Sequence, residues 1–138
     1  MAEPNASGRL HLVVVSRDHK LLEVDCDEVS LPGREGDLGI LPGHAALICT
    51  LRPGELSYRL GSRVERAAIA AGFCQVFGDV VTVLVDRAQL PSEIDAQAAA
   101  ETLRELEKRL PFATPEELDA LQDRLREVEA QMAVTRSR

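Results

Sequence analysis

The sequence predicts an all-β amino-terminal sandwich or barrel followed by a carboxy-terminal antiparallel two-helix hairpin. Three observations carry that expectation. Up to about residue 90, short β-forming runs are cut by turn residues at close intervals. After Leu90-Pro91 the apolar period changes from two to between three and four. The second region is itself divided by one short segment, 110–115, that holds two prolines and has room only for a turn.

The first strand is expected over 10–15. A second run, 21–31, alternates so that Leu22, Val24, Cys26 and Glu28 share one face. Pro32-Gly33 breaks that run, and the stretch through Pro42-Gly43 carries glycines at 33, 36, 39 and 43, which reads as a turn-forming loop. Further strands are expected at 46–51, 55–60, 64–70, 73–77 and 80–85, separated by Pro53-Gly54, Gly61-Ser62, Gly72 and Gly78-Asp79. Gly61-Ser62 and Gly78-Asp79 are two-residue hairpin signals, because such turns require positive φ. Helices compete poorly here, since Val and Thr lose rotamer freedom in them.

Residues 1–90 thus form the expected sandwich and 91–138 the hairpin. Ala99, Leu103, Leu106 and Leu110 make one apolar stripe, and Leu118, Leu121, Leu125, Val128 and Met132 another. Thr114 reads as a helix cap with Pro115 at the first helical position and Glu117 as its capping partner; Ser92 with Asp95 is a weaker version of the same signal. Two short helices zipped along narrow stripes bury little surface for the entropy they lose, so the hairpin needs a neighbour to pack on.

Composition excludes several functions. Sixteen basic against twenty-three acidic residues give a net charge of -7 and a pI near 5.0, which opposes phosphate-driven nucleic-acid binding and polybasic membrane attachment. Aromatics are 3% with no Trp, so base stacking is poorly supplied and the core must be aliphatic. No apolar run approaches the roughly 18 residues of a membrane-spanning helix, and the first residues lack a signal-peptide pattern. Cys26, Cys49 and Cys74 have no CxxC spacing and read as buried free thiols of a reducing compartment.

Catalytic chemistry is not apparent. His11, His19 and His44 have no metal-ligand spacing, and no GxSxG elbow occurs. The stretch Gly33-Arg34-Glu35-Gly36-Asp37-Leu38-Gly39 lacks both GK[ST] and GxGxxG, and Glu35 and Asp37 would repel phosphate. Asp25, Asp27 and Glu28 read as a solvated edge.

The run Leu31-Pro32-Gly33-Arg34-Glu35-Gly36-Asp37-Leu38-Gly39-Ile40-Leu41-Pro42-Gly43-His44-Ala45 resembles the signature loop of the epsilon subunit of rotary F-type ATP synthases, bacterial type. So do Ala71-Gly72-Phe73-Cys74-Gln75-Val76 and Val81-Thr82-Val83-Leu84-Val85-Asp86. The resemblance runs from about residue 10 to the carboxyl end. It implies a non-catalytic central-stalk (rotor) subunit at the cytoplasmic face of the bacterial inner membrane, in contact with the membrane only through the complex. Its sandwich would bind the gamma subunit and rest on the c-ring, with Glu35, Gly36, Asp37, Leu38, Gly39, Pro42, Gly43 and His44 at that interface. Its hairpin would be a regulatory arm that, extended, blocks ATP hydrolysis by the alpha and beta subunits.

Two departures from the family qualify this. Some members bind ATP through [IL]DxxRA at the start of the first helix; here Ile94-Asp95-Ala96-Gln97-Ala98-Ala99 puts Ala98 where the arginine stands. Alanine offers no fork for an anionic ligand, so Asp95, a weak ATP candidate, is expected to serve as a cap, ATP binding is expected to be weak or absent, and no cofactor is required. Residues 116–134 hold six acidic residues against Arg124 and Arg126, with Arg136 and Arg138 beyond. Inhibition through acidic partner segments is therefore expected either to be weaker than in relatives with a basic second helix or to use those four arginines alone. A stand-alone sandwich with a helical dimerisation hairpin would explain the architecture, though not the joint occurrence of these segments.

Overall fold

The computed structural model describes residues 8–136 of the chain. β1 (Leu10–Val15) opens the fold with Leu10, Leu12 and Val14 pointing into the core. β2 (Lys20–Cys26) pairs back on it antiparallel. The single strand expected over 21–31 is in fact two, because the chain turns a corner at Asp27. Its backbone N–H donates to the Arg59 carbonyl, and its carboxylate accepts from the Gly61 N–H and from Arg9. The corner shifts the phase: Cys26 and Val29 are both buried, and Glu28 does not continue the Cys26 face. Alternation reports spacing along a strand but not a bend in it.

β3 (Glu28–Gly33) continues through Pro32-Gly33, and β4 (Gly36–Ile40) pairs against it from Val29↔Ile40 to Gly33↔Gly36. The stretch read as a loop is therefore a tight hairpin with Arg34-Glu35 at its tip. Proline is tolerated because Pro32 takes part in the sheet through its carbonyl, which accepts from the Arg52 N–H at 2.9 Å. β5 (Leu47–Leu51), β6 (Gly54–Leu60), β7 (Arg63–Ile69), β8 (Gly72–Phe77) and β9 (Val80–Val85) lie within one residue of expectation. A two-residue strand that sequence spacing does not signal, β10 (Ala88–Gln89), closes on β7. The β8–β9 connection is the two-residue turn Gly78-Asp79, with φ of 58° and 63°.

The strands run β10-β7-β6-β3-β5-β8-β9-β1-β2, with β4 attached to β3 alone. β3 and β5 meet at a single pair, Gly33↔Leu51, and there the sheet folds over into two leaves. The core between them is aliphatic, with Leu10, Leu12, Val29, Ile40, Leu56, Ile69, Val81 and Val83 all at 0% exposure. All three phenylalanines, Phe73, Phe77 and Phe112, are on the surface. At Gly72 the leaf admits no side chain: a Cβ would lie 2.1 Å from the Leu84 carbonyl oxygen and 2.7 Å from Val85 Cα.

α1 (Ala96–Arg109) is capped by Asp95, whose carboxylate accepts from the Ala98 N–H at 3.1 Å. Ser92 is not the cap; it belongs to a 3-10 turn, Pro91–Glu93. α2 (Pro115–Arg136) starts after Thr114, whose hydroxyl donates to the Glu117 carboxylate. The two stripes meet, burying Ala99, Leu106, Leu121 and Val128 with Leu103, Leu110, Leu125 and Met132 alongside. A second face of α2, Ala130 and Val134, packs on Ala68 and Ile94. The arm is therefore folded down, with α2 in contact with both α1 and the sandwich.

Candidate docking surface and arm interface

The outer face of β5, β8 and β9 is uncovered and presents Ile48, Phe73, Phe77 and Leu84, with Thr50, Gln75 and Thr82 among them. Residues alternate along each strand, so Cys74 and Val76 enter the core while Phe73 and Phe77 point out. Phe73 (57% exposed) stands directly opposite Leu84 (49%) and beside β5, where Ile48 is 75% exposed. Adjoining this patch, a groove of ≈ 530 Å³ runs under the β3–β4 tip, lined by Arg34, Glu35, Leu38, Leu47, Ile48 and Phe73 among others. Several large apolar side chains exposed beside a groove with a charged rim mark an interaction surface.

The interface residues expected from sequence divide into two parts. Glu35, Gly36 and Leu38 border the apolar groove, whereas Asp37 and Gly39 lie on the other side of the hairpin with Arg52 and Glu55. Arg52 fixes the hairpin, donating to the Gly33 carbonyl and to the Asp37 carboxylate at 2.7 Å each. Pro42 and Gly43 are exposed in a turn held to the β8–β9 connection, where the Gly43 N–H donates to the Asp79 carboxylate. His44 Nδ1 donates to the Ala45 carbonyl. Sequence reasoning missed Ile48, Phe73 and Leu84. For Phe73 and Leu84 the available signal was that runs 73–77 and 80–85 carry apolar residues on both faces, interrupted only by Gln75 and Thr82.

The arm interface is more polar than its stripes suggest. Glu127 is 4% exposed and receives a bidentate pair from Arg87 (3.0 and 2.8 Å), with Arg124 at 3.1 Å. Burial alone would raise its pKa, but the arginines outweigh burial and hold the carboxyl below its usual range. One turn earlier, Asp123 accepts from both Nη atoms of Arg34 (3.0 and 2.7 Å) and pairs with Arg126 at 3.2 Å. The hydrogen bonds from Arg34 lower its pKa. Gln131 donates to Gln89 at 2.6 Å. Of the four arginines expected to make inhibitory contacts, Arg124 and Arg126 are thus paired within their own helix, Arg136 is exposed at its end, and Arg138 lies outside the described residues.

The remaining polar groups are settled locally. His11 bridges two carboxylates, Nδ1 to Asp25 at 2.7 Å and Nε2 to Glu23 at 2.6 Å, which raises its pKa. Burial pushes the Cys26 thiol to about 11 and Cys74 to about 12, far from the thiolate range of reactive cysteines. Among the described residues no cluster of three potential metal ligands occurs, and no helix is long and apolar enough to cross a membrane.

Residues 9–91 match the family described as "ATP synthase, Delta/Epsilon chain, beta-sandwich domain". The chain is 43% identical over 110 residues to an ATP synthase epsilon chain from Halalkalibacterium halodurans, covering 80% of this chain and 83% of that one. It is 40% identical over 117 residues to an ATP synthase epsilon chain from Rhodobacter capsulatus, covering 85% and 89%. In fold it superimposes on a chain of the Euglena gracilis mitochondrial ATP synthase (OSCP, F1 and c-ring) with a TM-score of 0.80 at 23% identity, covering 96% and 85%. A chain of the Tetrahymena thermophila mitochondrial ATP synthase central stalk and c-ring gives 0.66 at 16% identity, covering 97% and 99%. The family match over the sandwich and the identities that extend over more than three quarters of the chain agree: the chain belongs to the delta/epsilon chains of ATP synthase.

Proposed function

We propose that the protein is a non-catalytic subunit of the ATP synthase rotor. Its sandwich docks on the gamma subunit and the c-ring, and its helical arm restrains ATP hydrolysis by the alpha and beta subunits. The uncovered face carrying Ile48, Phe73 and Leu84 is the observation that carries this reading, because it leaves a large part of the sheet wanting a partner. The β3–β4 tip, with Glu35 and Asp37, meets cationic segments of the ring, while Pro42, Gly43 and His44 shape the adjoining surface. Subunits so placed sit on the membrane's cytoplasmic side in bacteria and touch it only through the complex.

The arm is built to move as a unit. Its helix–helix core is separate from that of the sandwich, and among the described residues the buried apolar cluster joining the two is Ala68, Ile94, Ala130 and Val134. At the start of α1, Asp95 is engaged as a helix cap, and neither it nor Ala98 offers a guanidinium to phosphate, which supports an arm that works without bound ATP. Of the arginines, Arg136 and Arg138 remain to meet acidic partners on extension, with Arg124 and Arg126 contributing less.

The test is ATP hydrolysis by the ATP synthase core complex lacking this subunit, supplemented with the full chain or with one ending at Leu90. The main core cluster lies wholly within residues 10–88, so the shorter chain retains it. Binding by both with inhibition only by the full chain is the expected result. Failure of both to bind, when folded and matched to their own complex, overturns the proposal.

A further inference from the structure

We infer that Asp123 and Glu127 act as a two-point latch that holds the arm down and, by the same contacts, masks the arm's own cations. Each carboxylate lies between one arginine of the sandwich and one of its own helix. Asp123 takes Arg34 from the β3–β4 tip and Arg126 from α2. Glu127 takes Arg87 from the segment after β9 and Arg124 from α2. The two acids are four residues apart, so they share one helix face and are anchored at two separate points on the sandwich. This inference rests on the regulatory reading of the arm and names what controls it.

The interface between the anchors is not a packed core. A cleft of ≈ 300 Å³ bordered by Pro53, Ala71, Ala120 and both acids lies on one side, and a wider one of ≈ 610 Å³ past Arg87 and Gln131 on the other. With few apolar contacts, the ion pairs carry a large share of the hold. Bidentate guanidinium–carboxylate pairs are the geometry in which such bonds contribute most.

Detachment breaks the two cross-domain pairs but leaves the pairs inside α2, because Asp123–Arg126 and Arg124–Glu127 are three residues apart on one helix. An extended arm therefore presents Arg124 and Arg126 already neutralised. The acids set the arm's resting position and lower its grip on an acidic partner when it leaves.

Two variants of the full chain separate these roles. Asp123→Asn with Glu127→Gln removes both latch and mask; Arg34→Gln with Arg87→Gln removes the latch alone. In the free protein, methyl NMR of the Ala68–Val134 contact reads the ratio of detached to docked arm. Both variants are expected to raise it by about tenfold. An unchanged ratio in both overturns the latch, and the swap Arg34→Asp with Asp123→Arg, which restores the pair in reverse, is expected to bring the contact back. Added to the core complex, only the acid-free variant is expected to inhibit hydrolysis more strongly than the arginine-free one; equal inhibition overturns the mask. If the native chain does not bind the complex, the functional reading fails and the mask with it, while the latch is still decided on the free protein.

Discussion

Replacing Phe73 with Ser tests whether the outer face is a docking surface. A Phe side chain offers about 200 Å² of surface. Phe73 is 57% exposed, so about 110 Å² of that remains to be covered by a partner. At about 25 cal/mol per Å², covering it contributes between about 2 and 3 kcal/mol, or roughly 30- to 150-fold in affinity. The folded state should not suffer, because Phe73 points away from the core and its neighbour Cys74 supplies the buried position. The assay is titration of labelled chain onto the core complex lacking this subunit, with thermal unfolding of the free chain in parallel. A weakening below about threefold at an unchanged melting temperature would refute the assignment of this face.

Three other outcomes are expected. Gly72→Ala drives a methyl into the Leu84 carbonyl and the Val85 backbone and should cost about 3 kcal/mol in denaturant unfolding, whereas Gly39→Ala, whose nearest neighbour is the Glu28 carboxylate at 4.0 Å, should be close to neutral. Val128→Ala empties a site at 0% exposure between the helices and should cost about 2 kcal/mol, observed as faster amide exchange in α1 and α2 with the sandwich unaffected. His11, its pKa raised chiefly by Asp25 and then Glu23, contributes stability that is fully present below its unfolded value of 6.5 and is lost as pH rises through the higher folded value. The gap in melting temperature between the native chain and His11→Gln should accordingly shrink from pH 6 to pH 9.

Much of the fold is legible in the sequence because two periods describe it. Gly54–Leu60, with Leu56, Tyr58 and Leu60 toward the core, and the α1–α2 stripes follow directly from alternation and from three-to-four spacing. The failures occur where long-range pairing overrules local signals. Pro32-Gly33 reads as a break, yet β3 passes through it because β4 and Arg52 accept the geometry it offers. Asp27 reads as a strand residue, yet the hydrogen bonds it accepts from the Gly61 N–H and donates to the Arg59 carbonyl, more than thirty positions away, make it a corner. The docking site is half legible for a related reason. Glu35 to His44 are conspicuous by composition, but the exposure of Phe73 and Ile48 depends on which strands cover which face, and no residue type announces that. Likewise Asp123 and Glu127 look like ordinary solvent-facing acids of an acidic helix. Only the fold brings Arg34 and Arg87 to them.

The segregation of aromatic residues has an optical consequence. With no Trp in the chain, a single Tyr at position 58, and every Phe outside the aliphatic core, the folded protein is nearly silent in the near ultraviolet above the tyrosine band. A Trp introduced at position 73 or 112 would occupy a site that already carries an aromatic ring in solvent and disturb no core packing. In the free chain each such variant would emit against almost no background, the first reporting on the sheet face and the second on the surroundings of the turn between the helices, so the two regions could be followed separately.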